Sequence, residues 1–317
     1  MLGMTDFSLI PSFLIDGAYL LHGSSSLQQT GGGLGGAVIL NSGTLEKEGL
    51  GLQYIQGLGS FRTADEFVKL SWRKGKLQSS TRFLLSSSEN RFKFVNRDKN
   101  ELIYDEEMNV IGKYHPVEEF DNGAFRDLHI MQNLSWDAAP GHSLKASVWY
   151  VNSFRELPQL SVDYSDRNDY INEQREKTLR AVLNWSGKFP SGKAEAAAGY
   201  AGTGLGYDYA RNNGDAGINW LTRSRSESNT VFAKAGVEAF AGSRWMIEGN
   251  VHIIYNQLIH KTLQRWSQTG AKILTAPVEE NCPHLYHSNG NRYGLPGYPF
   301  PFARTYMENS SPPSFLH

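Results

Sequence analysis

Apolar and polar residues alternate along most of the chain between Gly49 and Leu258. This period of two is typical of β-strands whose two faces meet different surroundings. In the clearest segments, Leu179, Ala181 and Leu183 share one register while polar or small residues occupy most of the other. The pattern predicts nine strands, at residues 49–61, 64–75, 77–91, 121–137, 142–154, 173–188, 192–208, 227–241 and 243–258.

The predicted strands are long. They run to about 12 to 17 residues, whereas strands of globular proteins usually have about 5 to 6 and strands that cross a membrane at a tilt are longer. A soluble β-sandwich or barrel also alternates, so alternation alone leaves that alternative open. However, the face opposite the apolar one carries mainly Ser, Asn, Gly and scattered charges, as a water-filled lumen would.

The predicted connections favour a membrane barrel. From the second connection onward, tight turns alternate with connections of about 18 to 30 residues, as short periplasmic turns and long extracellular loops do in up-and-down barrels. The tight turns contain Lys-Gly-Lys, Ala-Pro-Gly-His and Pro-Ser-Gly-Lys, which supply the turn formers Gly and Pro. The long connections are expected at 92–120, 155–172 and 209–226.

Four of the seven tryptophans fall within about four residues of a tight turn and in the apolar register. Membrane barrels carry bands of aromatic residues at both membrane interfaces, where an amphipathic ring is stabilised at headgroup depth. Tryptophan could instead simply fill core positions, but that would not place it beside the same kind of turn each time. The sequence therefore predicts an aromatic girdle formed by Trp72, Trp136, Trp185 and Trp245.

Composition excludes several classes of protein. No apolar run reaches the roughly 18 residues of a membrane-spanning helix, and 31 basic against 32 acidic residues give no basic excess for nucleic acid. The single cysteine, Cys282, cannot form an internal disulfide. No Lys or Arg precedes Lys47, so a secretory signal is not expected within this sequence.

The stretch from Ile15 to Asn41 reads as an apolar strand, a Gly- and Ser-rich turn, a glycine cluster and a second apolar strand. It resembles the end of the plug domain of TonB-dependent outer-membrane receptors. His22-Gly23 stands where the family has Gly-Pro, and Gln29-Thr30 replaces its Tyr-Gly pair. The residues that match the family pattern are Gly23, Ser26, Gly35, Gly36, Val38 and Asn41.

This resemblance implies an all-β fold, a partial antiparallel up-and-down transmembrane β-barrel of about nine long strands preceded by the end of a plug. Residues 1–47 would be the C-terminal part of the plug, 48–259 the first part of the barrel, and 260–317 an irregular tail that a frameshift in the gene would explain. Nine strands are too few for the family's 22-stranded barrel, and the TonB box is not expected here. In this family the plug enters the barrel from the periplasm, so the first barrel strand would run outward and the long connections would lie outside the cell.

By resemblance, the protein is a fragment of a receptor in the cell outer membrane for active uptake of a scarce ligand such as an iron chelate, a cobalamin or a glycan. Its partners would be the TonB energy-coupling complex, outer-membrane lipid and the small-molecule ligand, with no nucleic acid. The alternatives are a non-functional remnant of an interrupted receptor gene or a soluble β-rich binding protein. No catalytic arrangement of side chains is visible, so neither enzymatic activity nor a cofactor is predicted.

Three other patterns have simpler explanations. Gly31, Gly33 and Gly36 match a dinucleotide-binding fingerprint, but a β-prone run follows instead of a helix. Cys282, His284 and His287 have side chains that can bind a metal, but they lie in a Pro-rich stretch without predicted secondary structure to hold them together. Their proximity in the sequence is therefore expected to be accidental. Acidic groups suit Ca²⁺ chemically but are expected to be solvated loop charge; they are Asp105, Glu106 and Glu107, and Asp163, Asp166 and Asp169.

Overall fold

The computed structural model of the chain describes residues 10–21, 37–42, 48–120, 122–158, 170–212, 214–241, 245–265, 272–274, 278–287 and 292–293. These residues form eighteen strands and three short 3-10 turns. Among the described residues, no helix is long and apolar enough to cross a membrane. The strands are β1 Gly17–Leu21, β2 Ala37–Asn41, β3 Gly49–Gly59, β4 Thr63–Lys74, β5 Leu77–Ser88, β6 Phe92–Val95, β7 Glu101–Tyr104, β8 Val110–Tyr114, β9 Val117–Phe120, β10 Phe125–Ala139, β11 His142–Glu156, β12 Tyr170–Phe189, β13 Gly192–Asn212, β14 Ile218–Ala241, β15 Trp245–Arg265, β16 Lys272–Leu274, β17 Val278–His287 and β18 Arg292–Tyr293.

All nine predicted long strands are present, as β3, β4, β5 and β10 to β15. They pair in chain order in one large sheet, and every pairing is antiparallel, as an up-and-down topology requires. Gly75 and Gly141, in two of the tight turns, have φ of 55° and 78°. Glycine adopts this left-handed conformation without the steric cost that a Cβ atom brings.

Several boundaries differ from the prediction. β13 extends to Asn212 and β14 begins at Ile218, so five residues separate two long strands where a connection from 209 to 226 was expected. β15 continues to Arg265, and β17 pairs with it in the part of the chain expected to be an irregular tail. In these extensions, cross-strand hydrogen bonds continue the strands through polar segments in which apolar and polar residues do not clearly alternate.

The long connection between β5 and β10 is not irregular either. Its outer part forms the hairpin of β7 and β8, and its base is closed by pairing of β6 with β9. The rings of Phe92 and Phe120 stack across this base with centroids 4.6 Å apart. The connection is therefore a folded extension beyond the large sheet.

Candidate functional site

The exposed face of the large sheet is apolar and the opposite face carries buried polar side chains, which is the reverse of a sheet in a water-soluble protein. The polar face contains Ser71, Arg82, Asp127, His129 and Thr178, all of which are buried. The opposite, apolar face exposes large hydrophobic side chains from each of the nine long strands. They are Leu50, Leu52, Tyr54, Leu58, Leu70, Trp72, Phe83, Ile130, Leu134, Trp136, Val148, Leu179, Leu183, Tyr200, Val231, Val237, Val251, Ile253 and Tyr255.

Exposed apolar area on this scale indicates a surface that contacts something other than water, because monomeric soluble proteins expose apolar patches of only a few hundred Å². Alternation along each strand places successive side chains on opposite faces. The hydrogen-bonded register then joins the exposed residues of neighbouring strands into one continuous surface.

The N-terminal segment, residues 10–16, lies on the polar face. Its Leu14 side chain is 1% exposed and packs in a cluster with Phe67, Leu84 and Met131 from β4, β5 and β10. The Phe13 ring stacks on Phe67 with centroids 5.5 Å apart. The main apolar cluster of the described residues therefore joins this segment to the sheet.

An ion-pair cluster next to Leu14 anchors the same segment. The Asp16 carboxylate accepts hydrogen bonds from Arg82 and, at 3.1 Å, from Lys69 Nζ. Arg82 Nη1 also donates to the Leu14 carbonyl oxygen at 2.7 Å. Partial burial opposes ionisation of Asp16, but the hydrogen bonds and charges of Arg82 and Lys69 outweigh it and lower the pKa of Asp16.

Arg82 has no exposed side-chain area, whereas the Asp16 side chain is 37% exposed. A buried guanidinium is stabilised by a nearby negative charge, and the carboxylate of Asp16 in the segment supplies one to Arg82. Hydrogen bonds from Asn133 Nδ2 to Ser42 Oγ, at 3.0 Å, attach the end of β2 to the same face. Sequence reasoning missed this cluster; the only available signal was a lone Arg among the Ser residues of β5.

A cleft of about 500 Å³ lies between the N-terminal segment and the ends of β4, β5, β10 and β11 that are farthest from the tight turns. Phe13 and Leu84 supply apolar lining, and Asp65, Asp127 and Arg155 supply charge. Asp127 accepts hydrogen bonds from Ser153 Oγ at 2.5 Å and from Arg155 Nη2 at 3.1 Å. These bonds fix the carboxylate and the guanidinium at the cleft wall.

His129 lies at the base of the cleft, 1% exposed, with its ring centroid 5.9 Å from that of Trp149. His129 Nδ1 and Trp149 Nε1 are buried without a hydrogen-bond partner among the described residues. The cleft thus combines the aromatic surface of Phe13 with fixed charges of both signs. This combination can bind a polar organic ligand.

The tryptophans predicted to form a girdle lie at the tight-turn ends of their strands. Trp72, Trp136 and Trp185 are on the apolar face, and Trp136 and Trp185 both lie opposite Leu144. The backbone of Trp245 begins β15, farther toward the tight turns. The line joining the four positions is oblique to the register, as expected for strands tilted from the membrane normal. That they form a membrane girdle stays a prediction.

Of the residues matched to the plug pattern, Val38 and Asn41 lie in β2, which pairs with β1. The hairpin that they help to form is continuous with the segment on the polar face, since Asp16 N–H donates to Asn41 O at 2.8 Å. The other matched positions lie outside the described residues; they are Gly23, Ser26, Gly35 and Gly36.

The acidic residues considered for Ca²⁺ have a local structural role where they are described. Asp105 accepts hydrogen bonds from the backbone N–H groups of Glu107 and Asn109, which closes the turn between β7 and β8. The bonds from Asn109 lower the pKa of Asp105. Among the described residues, no three His, Cys, Asp or Glu side chains form a group that could hold a metal ion. Asp163, Asp166 and Asp169 lie outside the described residues.

Comparison with solved structures identifies the fold. The chain is similar to the siderophore receptor PiuA from Acinetobacter baumannii, with a TM-score of 0.53 and 11% sequence identity. The similarity covers 86% of this chain and 43% of that one, so the chain spans less than half the length of the receptor it matches. No protein-family model matches the sequence, and no curated protein matches it significantly. The predicted all-β fold, with a long antiparallel sheet matching part of a barrel receptor, is confirmed.

Proposed function

We propose that the chain is part of a TonB-dependent receptor of the cell outer membrane, which takes up a scarce small-molecule ligand. The observation that carries the proposal is the inverted sheet, whose exposed face is apolar and whose buried face is polar. Lipid stabilises the first, and a water-filled lumen with a plug stabilises the second. The receptor fold of the structural neighbour supports the same assignment.

In this proposal residues 1–47 are the end of the plug, 48–259 are barrel strands, and the tryptophans form one interfacial girdle. Contacts of Leu14 and Asp16 with the polar face support the plug role, because a plug packs against the inner, polar face of its barrel. The TonB complex would then act on plug residues to move the segment. An iron chelate, a cobalamin or a glycan is the proposed class of ligand.

The cleft is the proposed contribution of this chain to the ligand site. It lies at the long-connection end of the polar face, so it opens on the side from which an external ligand would arrive. Arg155 and Asp127 supply charge, and the Phe13 ring offers apolar surface. Because the N-terminal segment forms one wall, binding there would be coupled to the position of the segment.

Tryptophan fluorescence tests the membrane placement. We would refold the chain from denaturant into detergent, transfer it to lipid vesicles, and compare two single-tryptophan variants that keep only Trp136 or only Trp149. Trp136 is on the apolar face and Trp149 on the polar face. Lipids brominated on the acyl chain should quench Trp136 strongly and Trp149 weakly.

Equal quenching at both positions, or recovery of the chain as a water-soluble monomer, would contradict the membrane proposal and favour a soluble β-rich binding protein. Ligand uptake would be tested separately, in cells that express a full-length receptor containing this sequence. Ligand-dependent growth that is lost when TonB is deleted would support it, and growth independent of TonB would exclude it.

A further inference from the structure

The lining of the cleft carries more acidic than basic groups. Among the described residues that line it, the charged side chains are three carboxylates, those of Asp65, Asp127 and Glu156, and one guanidinium, that of Arg155. Arg155 Nη2 lies 3.1 Å from Asp127 Oδ2, so these two charges neutralise each other. Asp65 and Glu156 remain as two negative charges in the lining.

Neither of these two carboxylates pairs with a cation in the part of the chain that the structure describes. Asp65 Oδ1 accepts a hydrogen bond from Ser86 Oγ at 2.5 Å, and Glu156 Oε2 accepts one from the backbone N–H of Ala124 at 3.0 Å. Both donors are uncharged, so they fix the carboxylates in place without neutralising them. The second oxygen of each carboxylate accepts no hydrogen bond from the described residues.

The ion-pair cluster of the N-terminal segment does not supply the missing positive charge. Its two cations, Lys69 and Arg82, both bind the Asp16 carboxylate, and neither lines the cleft. Asp65 and Glu156, in contrast, are partly exposed in the lining. A concave site with low-dielectric walls concentrates the field of charges of one sign, so the two carboxylates should attract cations into the cleft.

Apolar surface accompanies these charges. Phe13 and Leu84 line the cleft, and the Phe13 ring is held in place by stacking on Phe67 with centroids 5.5 Å apart. An aromatic ring attracts apolar groups through burial and cations through its quadrupole. A ligand with an ammonium group on a largely apolar body therefore matches the lining, whereas a ligand with a carboxylate in the same place does not.

We propose that the cleft selects ligands that carry a positive charge, such as an ammonium group on an otherwise uncharged iron chelate. A cation would supply the counter-ion that Asp65 and Glu156 lack, whereas an anion would be repelled by both carboxylates. The inference rests on the proposed function, since it takes the cleft as part of the ligand site. It adds a preference among ligands, because an anionic chelate of similar size should bind less tightly.

Three forms of one iron chelate test this inference. Ferrioxamine B has a neutral iron trihydroxamate centre and a terminal ammonium group; acetylation of the amine makes the chelate neutral, and succinylation makes it anionic. The refolded chain in an uncharged detergent would be titrated with each form by equilibrium dialysis, with bound iron as the readout. Each partly exposed charge pair contributes up to about fivefold in affinity, so the ammonium form should bind about tenfold more tightly than the acetylated form. The succinylated form should bind most weakly.

Removal of the two unpaired carboxylates should remove this preference. The variant D65N/E156Q keeps amide oxygens that can accept the hydrogen bonds from Ser86 and Ala124. It should bind the ammonium form about tenfold more weakly than the wild type and the acetylated form equally well, which shows that the cleft is intact. The matched control is E106Q/E107Q, which removes two exposed carboxylates between β7 and β8, outside the cleft lining. This control should keep the wild-type preference.

Equal binding of the three forms by the wild type, tighter binding of the succinylated form, or an equal loss of preference in the control would overturn the inference and leave the cleft as the proposed ligand site. No binding of any form would overturn both. The single variants D65N and E156Q provide a second measurement, since each should weaken binding of the ammonium form about two- to fivefold and leave that of the acetylated form unchanged. An equal change for both forms in every variant would also overturn the inference, because it would reflect altered structure instead of charge.

Discussion

Substitution of Asp16 by Asn should release the N-terminal segment from the sheet. The change keeps the shape of the side chain but removes a charged partner of Arg82, which has no exposed area. Loss of one partner of a fully buried pair costs about 3–5 kcal/mol. Because the Asp16 side chain is 37% exposed, water partly replaces the lost charge, and we expect a cost of about 1–3 kcal/mol.

Hydrogen exchange measured by mass spectrometry is a suitable assay. Amides of residues 10–21 should exchange through opening of the segment, and a cost of about 1–3 kcal/mol corresponds to exchange roughly 5- to 150-fold faster. E66Q is the matched control. Glu66 bonds to Tyr54 and Gln56 on the apolar face, away from the segment, and its substitution should leave exchange of residues 10–21 unchanged.

A D16N/R82Q double variant isolates the pair. If the charge interaction anchors the segment, the double variant should open less readily than the sum of the two single effects predicts. Unchanged exchange in D16N, or strictly additive effects in the double variant, would refute the reasoning and show that other contacts, such as the packing of Leu14 and Phe13, anchor the segment.

Other predictions address pH, packing, the two faces and the hairpin. Since the pKa of Asp16 is lowered by folding, its stabilisation should be present above the ordinary value of 3.8 and be lost as pH falls through the lower folded pKa, which exchange of residues 10–21 at a series of pH values would detect. L14A should cost about 2–4 kcal/mol of docking in the same exchange assay, because the side chain is 1% exposed. V231R should destabilise the chain folded in lipid vesicles by about 2–4 kcal/mol, whereas T230R, on the polar face, should change the stability much less in parallel denaturant titrations. D105A should increase proteolytic cleavage between β7 and β8, since Asp105 accepts the N–H groups that close the turn; undiminished resistance would show that the strands alone hold it.

The sequence alone was sufficient to predict the nine long strands, their antiparallel up-and-down order and, in the clearest strands, the face on which each residue lies. These features are local or nearly local, because alternation orients side chains at each step and a tight turn pairs a strand with its successor. The tight-turn positions of Trp72, Trp136 and Trp185 followed from the same pattern. Strand ends were less predictable, since ladder hydrogen bonds extend β13, β14 and β15 through polar residues without apolar alternation.

The contacts that define the candidate site were decided only by the tertiary structure. Asp16 and Arg82 are separated by 66 residues, and neither position carries a motif that identifies the other as its partner. The cleft likewise depends on where the N-terminal segment packs against the sheet. Periodicity determines which way a side chain points along its own strand, whereas long-range packing determines what lies opposite it.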